Sequence, residues 1–211
     1  MLLAQFARAK GNSRVLDLGT GTGVLLLLLW GRYHPQTMVG VEIQPAAADL
    51  ARRNVEMNGL SETITVVQGD YKLAGETFPR RSFDLVVANP PYLRVEEAAP
   101  RANLAQRLSR TEIAATLQDA VSAAAAALVP GGHFCMVHHP HRLPEIFTAM
   151  AERRLEPKRL RMVQPRRDKM PHLVLVEATL LGKPGLTVLP TLLLAEEDGS
   201  MTRELQEIYD E

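Results

Sequence analysis

The sequence has little cysteine, no excess charge of either sign and no long apolar run. Its one cysteine, Cys135, cannot form an internal disulfide and fits a reducing compartment. Lysine plus arginine number 24, as do aspartate plus glutamate, so no global positive field points to a nucleic-acid partner. The densest apolar run, Val24 to Trp30, is too short to span a bilayer, and Met1 to Phe6 do not resemble a signal peptide. No serine nucleophile elbow supports hydrolase chemistry. We therefore expect a cytoplasmic globular protein.

Strands and helices alternate along the chain, which indicates an α/β fold. The predicted strands are Arg14–Leu18, Thr37–Ile43, Ile64–Gln68, Phe83–Ala88, His133–His138 and two more near Arg159–Val163 and Leu173–Leu180. The predicted helices end near Tyr33, Asn58, Leu128 and Arg153, the third being broken by Pro130-Gly131-Gly132. This order predicts a doubly wound, mostly parallel sheet buried on both faces. The last two strands have a short connection and should form an antiparallel hairpin at one edge.

The most informative segment is Asn89-Pro90-Pro91-Tyr92, which follows a buried strand directly. Open α/β sheets keep their ligands at the carboxyl ends of the strands. The two prolines stiffen the backbone and donate no N–H, so the segment presents acceptors. The side-chain oxygen of Asn89 and the carbonyl of Pro90 can accept the two N–H groups of a planar amino group, while Tyr92 covers its flat face. A plain strand-ending turn is the alternative.

A glycine turn, Asp17-Leu18-Gly19-Thr20-Gly21-Thr22-Gly23, joins the first strand to the first long helix. Glycines let a ligand approach the backbone closely, and a helix N-terminus offers N–H groups. The spacing is one residue short of the dinucleotide fingerprint G-x-G-x-x-G. Asp17 would repel a pyrophosphate but attract an ammonium group.

Two further acidic residues follow the next strands and complete a nucleoside site. Glu42, with Ile43 beside it, ends the second strand, where a carboxylate can accept both ribose hydroxyls. Asp70 follows the third strand and can accept from an adenine amino group. Together with Asp17, these positions favour S-adenosylmethionine over NAD as the cofactor.

In order and spacing, these segments resemble the motifs of class I S-adenosylmethionine-dependent methyltransferases that act on amino groups. The resemblance implies a seven-stranded sheet with the reversed hairpin. It also implies an acceptor that is adenine in nucleic acid, guanine in rRNA, or the glutamine amide of a release factor.

Further patches resemble bacterial tRNA(Val) adenine-N6 methyltransferases, which modify the adenosine at position 37. These patches are Val39–Gln44, Ser109–Glu112, Leu155–Arg159, Leu175–Glu177 and Lys183–Pro190. We expect one methyltransferase domain over residues 1–211 that lacks part of the family's N-terminal lead-in. An acidic tail from about residue 195 to 211 should be a solvated terminal element rather than an RNA contact.

RNA binding needs cationic contacts, and basic residues are concentrated between Arg142 and Lys169. Arg166, Arg167 and Lys169 lie in the loop of the predicted hairpin and are candidates for phosphate contacts, with a solvated surface as the alternative. Arg110 follows the Asn-Pro-Pro-Tyr segment with Glu112 and can line the cleft, the alternative being a structural i,i+2 pair at a helix start. The sequence does not favour a metal site, because the fifth strand sends His133 and His138 to different faces.

The sequence therefore predicts a tRNA adenine methyltransferase that uses S-adenosylmethionine and needs neither a metal nor a membrane. A protein-glutamine methyltransferase and a non-catalytic module that binds cofactor or RNA are the alternatives. The sequence does not indicate an oligomeric state.

Overall fold

The computed structural model of the protein describes residues 1–73, 78–90 and 117–210. Pro91, Tyr92 and Arg110, to which the sequence assigns roles, lie outside these ranges. The helices are α1 Leu2–Phe6, α2 Val24–Tyr33, α3 Pro45–Met57, α4 Leu117–Ala127, α5 Leu143–Glu152 and α6 Arg203–Asp210. The strands are β1 Arg14–Leu18, β2 Thr37–Glu42, β3 Ile64–Gln68, β4 Phe83–Ala88, β5 Leu128–His138, β6 Leu155–Gln164, β7 Leu173–Leu180, β8 Thr187–Val188 and β9 Leu192–Leu193.

The strands form one sheet in the order β3-β2-β1-β4-β5-β7-β6-β8, and β9 also pairs with β6. Strands β1 to β5 are parallel, whereas β7 is antiparallel to both β5 and β6. The predicted doubly wound sheet with an antiparallel hairpin is therefore confirmed, with two short strands added beside β6. The order reverses between β1 and β4, so their carboxyl ends form the crevice where such sheets bind ligands.

Apolar side chains cover both faces of the sheet, as expected for parallel strands buried between helices. One face packs against α4 and α5 and includes Phe134 and Ile146. The other packs against α1, α2 and α3 and includes Phe6, Leu26 and Cys135. Among the described helices, none combines the length and the apolar character that crossing a bilayer requires.

The fifth strand is longer than the sequence predicted. It begins at Leu128 rather than His133 and contains the Pro130-Gly131-Gly132 segment that was expected to lie outside it. Phe83 pairs with Leu128 but Leu85 pairs with His133, so β5 carries extra residues in a bulge. Bulges accept proline and glycine without losing the strand, and Gly131 has a φ of 81° that only glycine adopts readily.

The sequence predicted that the acidic tail is a solvated terminal element, but part of the tail packs against the protein. Thr202 accepts a hydrogen bond from the backbone N–H of Leu205 at 3.3 Å and so caps helix α6. Leu205 and Ile208 are buried, and Glu204 forms an ion pair with Arg161 of β6. The tail is therefore an amphipathic helix that packs against the edge of the sheet.

Candidate functional site

A cavity of about 420 Å³ lies at the carboxyl ends of β1 and β4. Five residues that the sequence assigned to cofactor or acceptor binding line it: Asp17, Gly19, Thr20, Gly21 and Asn89. The apolar residues that line it include Leu2, Leu3, Leu25, Leu28, Val137 and Leu173. The cavity therefore has a polar side, formed by the glycine turn, and an apolar side.

The glycine turn is folded back on the neighbouring strand. The N–H groups of Gly19 and Thr20 both donate to the carbonyl of Val41 at 2.9 Å, and that of Gly23 donates to the carbonyl of Thr20. These donors are satisfied within the protein, so they are not directed at a ligand. This arrangement differs from a phosphate-binding loop, in which backbone N–H groups surround the anion.

Glu42 holds the turn in place. One carboxylate oxygen accepts from the N–H of Gly21 at 2.9 Å, and the other accepts from the N–H of Gln44 at 2.8 Å. Each carboxylate oxygen has a second lone pair, so Glu42 retains the capacity to accept hydroxyl groups. Sequence analysis placed Glu42 in the cofactor site but missed this structural role.

Asp17 carries the clearest unsatisfied polar group of the site. Its side chain is 1% exposed, and neither carboxylate oxygen has a hydrogen-bond partner among the described residues. Burial raises the pKa of Asp17 to about 7, and the negative charge of Glu42 adds to this increase while the nearby Thr20 hydroxyl opposes it. A buried acceptor without a partner is expensive to maintain, so it indicates a ligand that supplies a donor or a positive charge.

Gly40 of β2 lets the turn and α2 approach the sheet. A Cβ atom there would lie 2.7 Å from Cγ2 of Thr20 and 2.8 Å from Cδ1 of Leu26. Both distances are far shorter than a van der Waals contact, so only glycine fits. Nothing local in the sequence marks Gly40 as a point of close approach, so this constraint was not predicted.

Asp70 and Ile43 lie beside the cavity rather than in its lining. Asp70 is half-buried, and its Oδ1 accepts from the N–H of Lys72 at 2.9 Å. The ring of the next residue, Tyr71, lies 3.8 Å from the Cβ position of Gly19, and the Tyr71 hydroxyl is buried without a partner among the described residues. Sequence analysis missed Tyr71, whose position directly after Asp70 was the available signal.

Asn89 lies at the end of β4, level with the end of β1, since Ala88 pairs with Leu18. Its side chain is exposed and lines the cavity, whereas Pro90 is buried. The cavity thus brings Asn89 and Asp17 together, as the motif spacing predicted. The roles expected of Pro91 and Tyr92 concern residues outside the described ranges.

The loop between β6 and β7 lies at the same end of the sheet as this cavity. Strand β7 is antiparallel to β5, and Val174 at its start pairs with His138 at the end of β5. Leu173, directly after the loop, lines the cavity. Arg166, Arg167 and Lys169 are therefore carried on a loop beside the site, a placement that the sequence left open.

Other basic residues of the band between Arg142 and Lys169 bind groups of the protein itself. Arg142 donates to Glu145, Lys158 to the carbonyls of Lys183 and Gly185, Arg159 to Glu177 and Arg161 to Glu204 and the carbonyl of Pro190. The donors of these four side chains are thus engaged within the fold.

The histidines near the end of β5 are arranged as packed side chains. Nδ1 of His138 accepts from the N–H of His139 at 2.7 Å, and burial together with the charge of Arg142 lowers the pKa of His138 to about 4. The rings of His139 and His141 are stacked with centroids 5.6 Å apart. Within the described ranges, no three His, Cys, Asp or Glu side chains are grouped so that they could hold a metal ion.

The cavity residues fit the cofactor that the sequence predicted. The Asp17 carboxylate, which has no donor among the described residues, suits the ammonium group of S-adenosylmethionine. Glu42 holds the glycine turn rather than lining the cavity, and its remaining lone pairs suit a ribose. The N–H groups of Gly19, Thr20, Gly21 and Gly23 are already bonded within the protein, so they are not available to a pyrophosphate. These acceptor groups therefore favour a cationic nucleoside cofactor over a dinucleotide.

Comparison with known proteins places this geometry in a family context. The family model for the methyltransferase small domain matches residues 1–158. A protein of Porphyromonas gingivalis named tRNA1(Val) (adenine(37)-N6)-methyltransferase is 31% identical over 164 residues, which cover 77% of this chain and 64% of that protein. The match thus spans less than two thirds of that relative's length. A protein of the same name from Yersinia pseudotuberculosis is 32% identical over 213 residues, covering 100% of this chain and 82% of the relative.

Solved structures show the same fold at lower identity. A predicted O-methyltransferase from Agrobacterium tumefaciens superimposes with a TM-score of 0.78 at 23% identity, covering 99% of this chain and 94% of its own. A geranyl diphosphate C-methyltransferase from Streptomyces coelicolor gives a TM-score of 0.61 at 15% identity, covering 85% of this chain and 80% of its own. At these identities the likeness shows the fold alone.

Proposed function

Because the chain belongs to the methyltransferase small domain family, we propose that it transfers a methyl group from S-adenosylmethionine to N6 of adenosine 37 in tRNA(Val). The observation that carries the proposal is that one cavity combines the Asn89 side chain with the Asp17 carboxylate, which has no hydrogen-bond partner within residues 1–73, 78–90 and 117–210. The relatives named for this reaction supply the identity of the acceptor. Bound S-adenosylmethionine supplies an electrophilic methyl group.

The cofactor is held by residues at the ends of β1, β2 and β3. Asp17 binds the ammonium group, and its carboxylate becomes fully ionised when that charge is present. Glu42 accepts ribose hydroxyls with its remaining lone pairs, with Ile43 beside it. Asp70 accepts from the adenine amino group. Gly19, Thr20, Gly21 and Gly23 contribute a surface that lacks bulky side chains, rather than a set of donors.

Asn89 and Pro90 position the acceptor nitrogen. Their oxygens accept the two N–H groups of the adenine amino group, which draws its lone pair out of the ring plane and aims it at the methyl carbon. The same oxygens stabilise the positive charge that develops on nitrogen as the bond forms. The methylated nitrogen then loses a proton to water, so no strong general base is required. Positioning supplies most of the catalysis.

The target adenine must leave its stack in the anticodon loop to reach this cavity. Tyr92 stacks on the extruded base, an interaction worth about 1–3 kcal/mol. Arg166, Arg167 and Lys169 contact phosphates from the loop between β6 and β7, which the strand register puts beside the cavity. Arg110 is proposed as a further contact along the cleft.

The test is methylation of unmodified tRNA(Val) transcript with labelled S-adenosylmethionine, followed by nucleoside mass spectrometry. N6-methyladenosine at position 37 is the expected product. Label in a release-factor glutamine instead would identify a protein methyltransferase, and label in neither acceptor would overturn the assignment of an RNA enzyme.

Asn89→Ala should lower the rate of transfer at least about a hundredfold, because it removes an acceptor that acts on the developing charge. Cofactor affinity should be largely retained in this variant. Asn58→Ala provides the matched control, since Asn58 ends α3 at the opposite end of the sheet and donates only to the carbonyl of Asn54. Equal activity in the two variants would remove Asn89 from the mechanism.

A further inference from the structure

Two of the patches that resemble the tRNA(Val) enzymes meet outside the cavity lining, at Arg159 of β6 and Glu177 of β7. The two residues are paired across the strands, and Arg159 Nε donates to Oε2 of Glu177 at 3.1 Å. The guanidinium and carboxylate are only 12% and 8% exposed. Two charges are buried together here, so each requires the other.

Arg159 also reaches the N-terminal helix. Its Nη2 donates to the carbonyl of Phe6 at 2.7 Å, and its guanidinium carbon lies 4.5 Å from the centroid of the Phe6 ring. Phe6 is the last residue of α1, where backbone carbonyls lack helical partners and favour a cation. The arginine therefore holds α1 through both a charge-assisted hydrogen bond and a cation–π contact.

Glu177 is fixed in its charged form. Burial alone would raise its pKa, but the nearby imidazole of His133 and the hydrogen-bonded guanidinium of Arg159 hold the pKa of Glu177 down to about 2. His133 Nδ1 lies 3.6 Å from the carboxylate, and the thiol of Cys135 lies 3.7 Å from it. The carboxylate thus fixes the orientation of the Arg159 guanidinium beneath α1.

The other end of α1 forms part of the cofactor cavity. Met1, Leu2 and Leu3 line it, together with Asp17 and the glycine turn. A helix of five residues is too short to be stable by itself, so tertiary contacts decide where it lies. The contacts at Phe6 therefore help to determine where the apolar wall of the cavity stands.

We propose that Arg159 is a positioning residue for cofactor binding: held by Glu177, it anchors the end of α1 so that Leu2 and Leu3 close the apolar side of the cavity. The inference rests on the cofactor site of the proposed function, but not on the identity of the acceptor. Arg159 touches neither substrate nor cofactor and acts only through α1.

The test compares two arginines of the same strand. Arg159→Met should weaken the binding of S-adenosylhomocysteine about tenfold by isothermal titration calorimetry, because α1 loses its anchor. Arg161→Met is the matched control: Arg161 is 16% exposed and is also held by an acidic residue and a backbone carbonyl, but it anchors α6. It should lower the melting temperature without changing the affinity for S-adenosylhomocysteine.

Kinetics separate positioning from general destabilisation. In Arg159→Met the KM for S-adenosylmethionine should rise about tenfold, while kcat at saturating cofactor stays within about twofold of wild type. Arg159→Lys keeps the charge, but an ammonium group cannot bond Phe6 and Glu177 with the geometry of a guanidinium. The affinity of this variant for S-adenosylhomocysteine should therefore lie between those of wild type and Arg159→Met. An unchanged affinity in Arg159→Met, accompanied by a lower melting temperature, would overturn the proposal.

Phe6→Leu covers the case in which Arg159→Met does not fold. It keeps an apolar side chain and the Arg159–Glu177 pair but removes the ring under the guanidinium, so affinity should fall by a smaller factor of about two to five. If this variant binds S-adenosylhomocysteine as wild type does, the anchor has no effect.

If the wild-type protein does not bind S-adenosylhomocysteine, the cofactor site and the anchor both fail. If it binds but does not methylate tRNA, only the acceptor is wrong.

Discussion

Asp17 and Glu177 are both buried carboxylates, yet their surroundings are opposite. Asp17 is 1% exposed, has no hydrogen-bond partner among the described residues and has a pKa raised to about 7. Glu177 is 6% exposed, is bound by Arg159 and His133 and has a pKa lowered to about 2. One carboxylate lies in the cavity between β1 and β4, and the other lies within the hairpin half of the sheet.

The difference separates a group kept for a ligand from a group kept for the fold. The partners of Glu177 belong to the chain, so its charge is already compensated when the protein folds. In the part of the chain that the structure describes, Asp17 has no such partner, so its charge is not compensated there and a bound cation would stabilise it. Burial by itself therefore does not reveal the role of a carboxylate, whereas the list of its donors does.

Removing the paired carboxylate should have the largest effect on stability. Glu177→Gln leaves Arg159 charged and buried without a counter-ion, so the free energy of unfolding at pH 7 should fall by about 3–5 kcal/mol in urea denaturation. Glu204→Gln, which removes an acidic partner that is 51% exposed, should lose less than about 1 kcal/mol. In wild type, the contribution of Glu177 is present above its unfolded pKa of 4.5 and should disappear as pH falls towards 2. Equal losses in the two variants would show that the pair is not effectively buried.

Removing the carboxylate of Asp17 should stabilise the protein, in contrast to the loss expected for Glu177→Gln. The pKa of Asp17 is higher in the folded than in the unfolded protein, so it lowers stability as pH rises from about 4 to about 7. Asp17→Asn should therefore raise the free energy of unfolding of the ligand-free protein by on the order of 2–4 kcal/mol at pH 8, and by less at pH 5. Urea denaturation at both pH values measures this, with Asp84→Asn as a control that should not stabilise. Destabilisation of Asp17→Asn at pH 8 would mean that Asp17 is compensated by the fold.

The position of Asp17 and the glycine turn also depends on how closely the turn and α2 approach β2, and Gly40→Ala should disturb that approach. The added methyl group clashes with Thr20 and Leu26, so we expect a loss of about 1–3 kcal/mol together with weaker binding of S-adenosylhomocysteine. Gly31→Ala, within α2, places its methyl group in open space and should stabilise by about 0.5–1 kcal/mol. Thermal denaturation with and without S-adenosylhomocysteine measures both the stability and the ligand binding of the Gly40→Ala and Gly31→Ala variants. A neutral Gly40→Ala would show that the turn can move away from β2.

The smallest effect is expected from Cys135→Ala. The thiol is a weak donor to Glu177, and the arginine and histidine remain, so the loss should stay below about 1 kcal/mol in urea denaturation. Burial also raises the pKa of Cys135 well above its usual range, so the native protein should react slowly with a thiol reagent. A loss as large as that of Glu177→Gln would make the thiol an essential partner of the carboxylate.

Much of the fold could be predicted because local patterns agree with the topology. Apolar strands alternating with helices determined the parallel sheet, and motif order placed Asp17 and Asn89 at neighbouring strand ends. Strand β5 was predicted too short, because Pro130-Gly131-Gly132 is usually a breaker and its accommodation depends on the bulge against β4. Helix α6 was missed because its apolar positions are few and its burial depends on contacts with the sheet.

The sequence indicated which residues lie near the site, but not which groups of the protein they bond to. Nothing local indicates that Glu42 holds Gly21, or that Arg159 binds the carbonyl of Phe6, 153 residues away. Such pairings depend on how distant strands and helices are arranged. The pattern of basic residues in the sequence therefore could not show which of them, such as Arg159 and Arg161, the fold itself uses.

The raised pKa of Asp17 has a consequence for the heat of cofactor binding. Near neutral pH the free protein carries a proton on Asp17 in about half of its molecules, while the form bound to an ammonium group carries almost none. Binding should therefore release roughly half a proton to the solution. The apparent enthalpy will then differ between buffers of different ionisation enthalpy, and the slope of that dependence counts the protons that the site gives up.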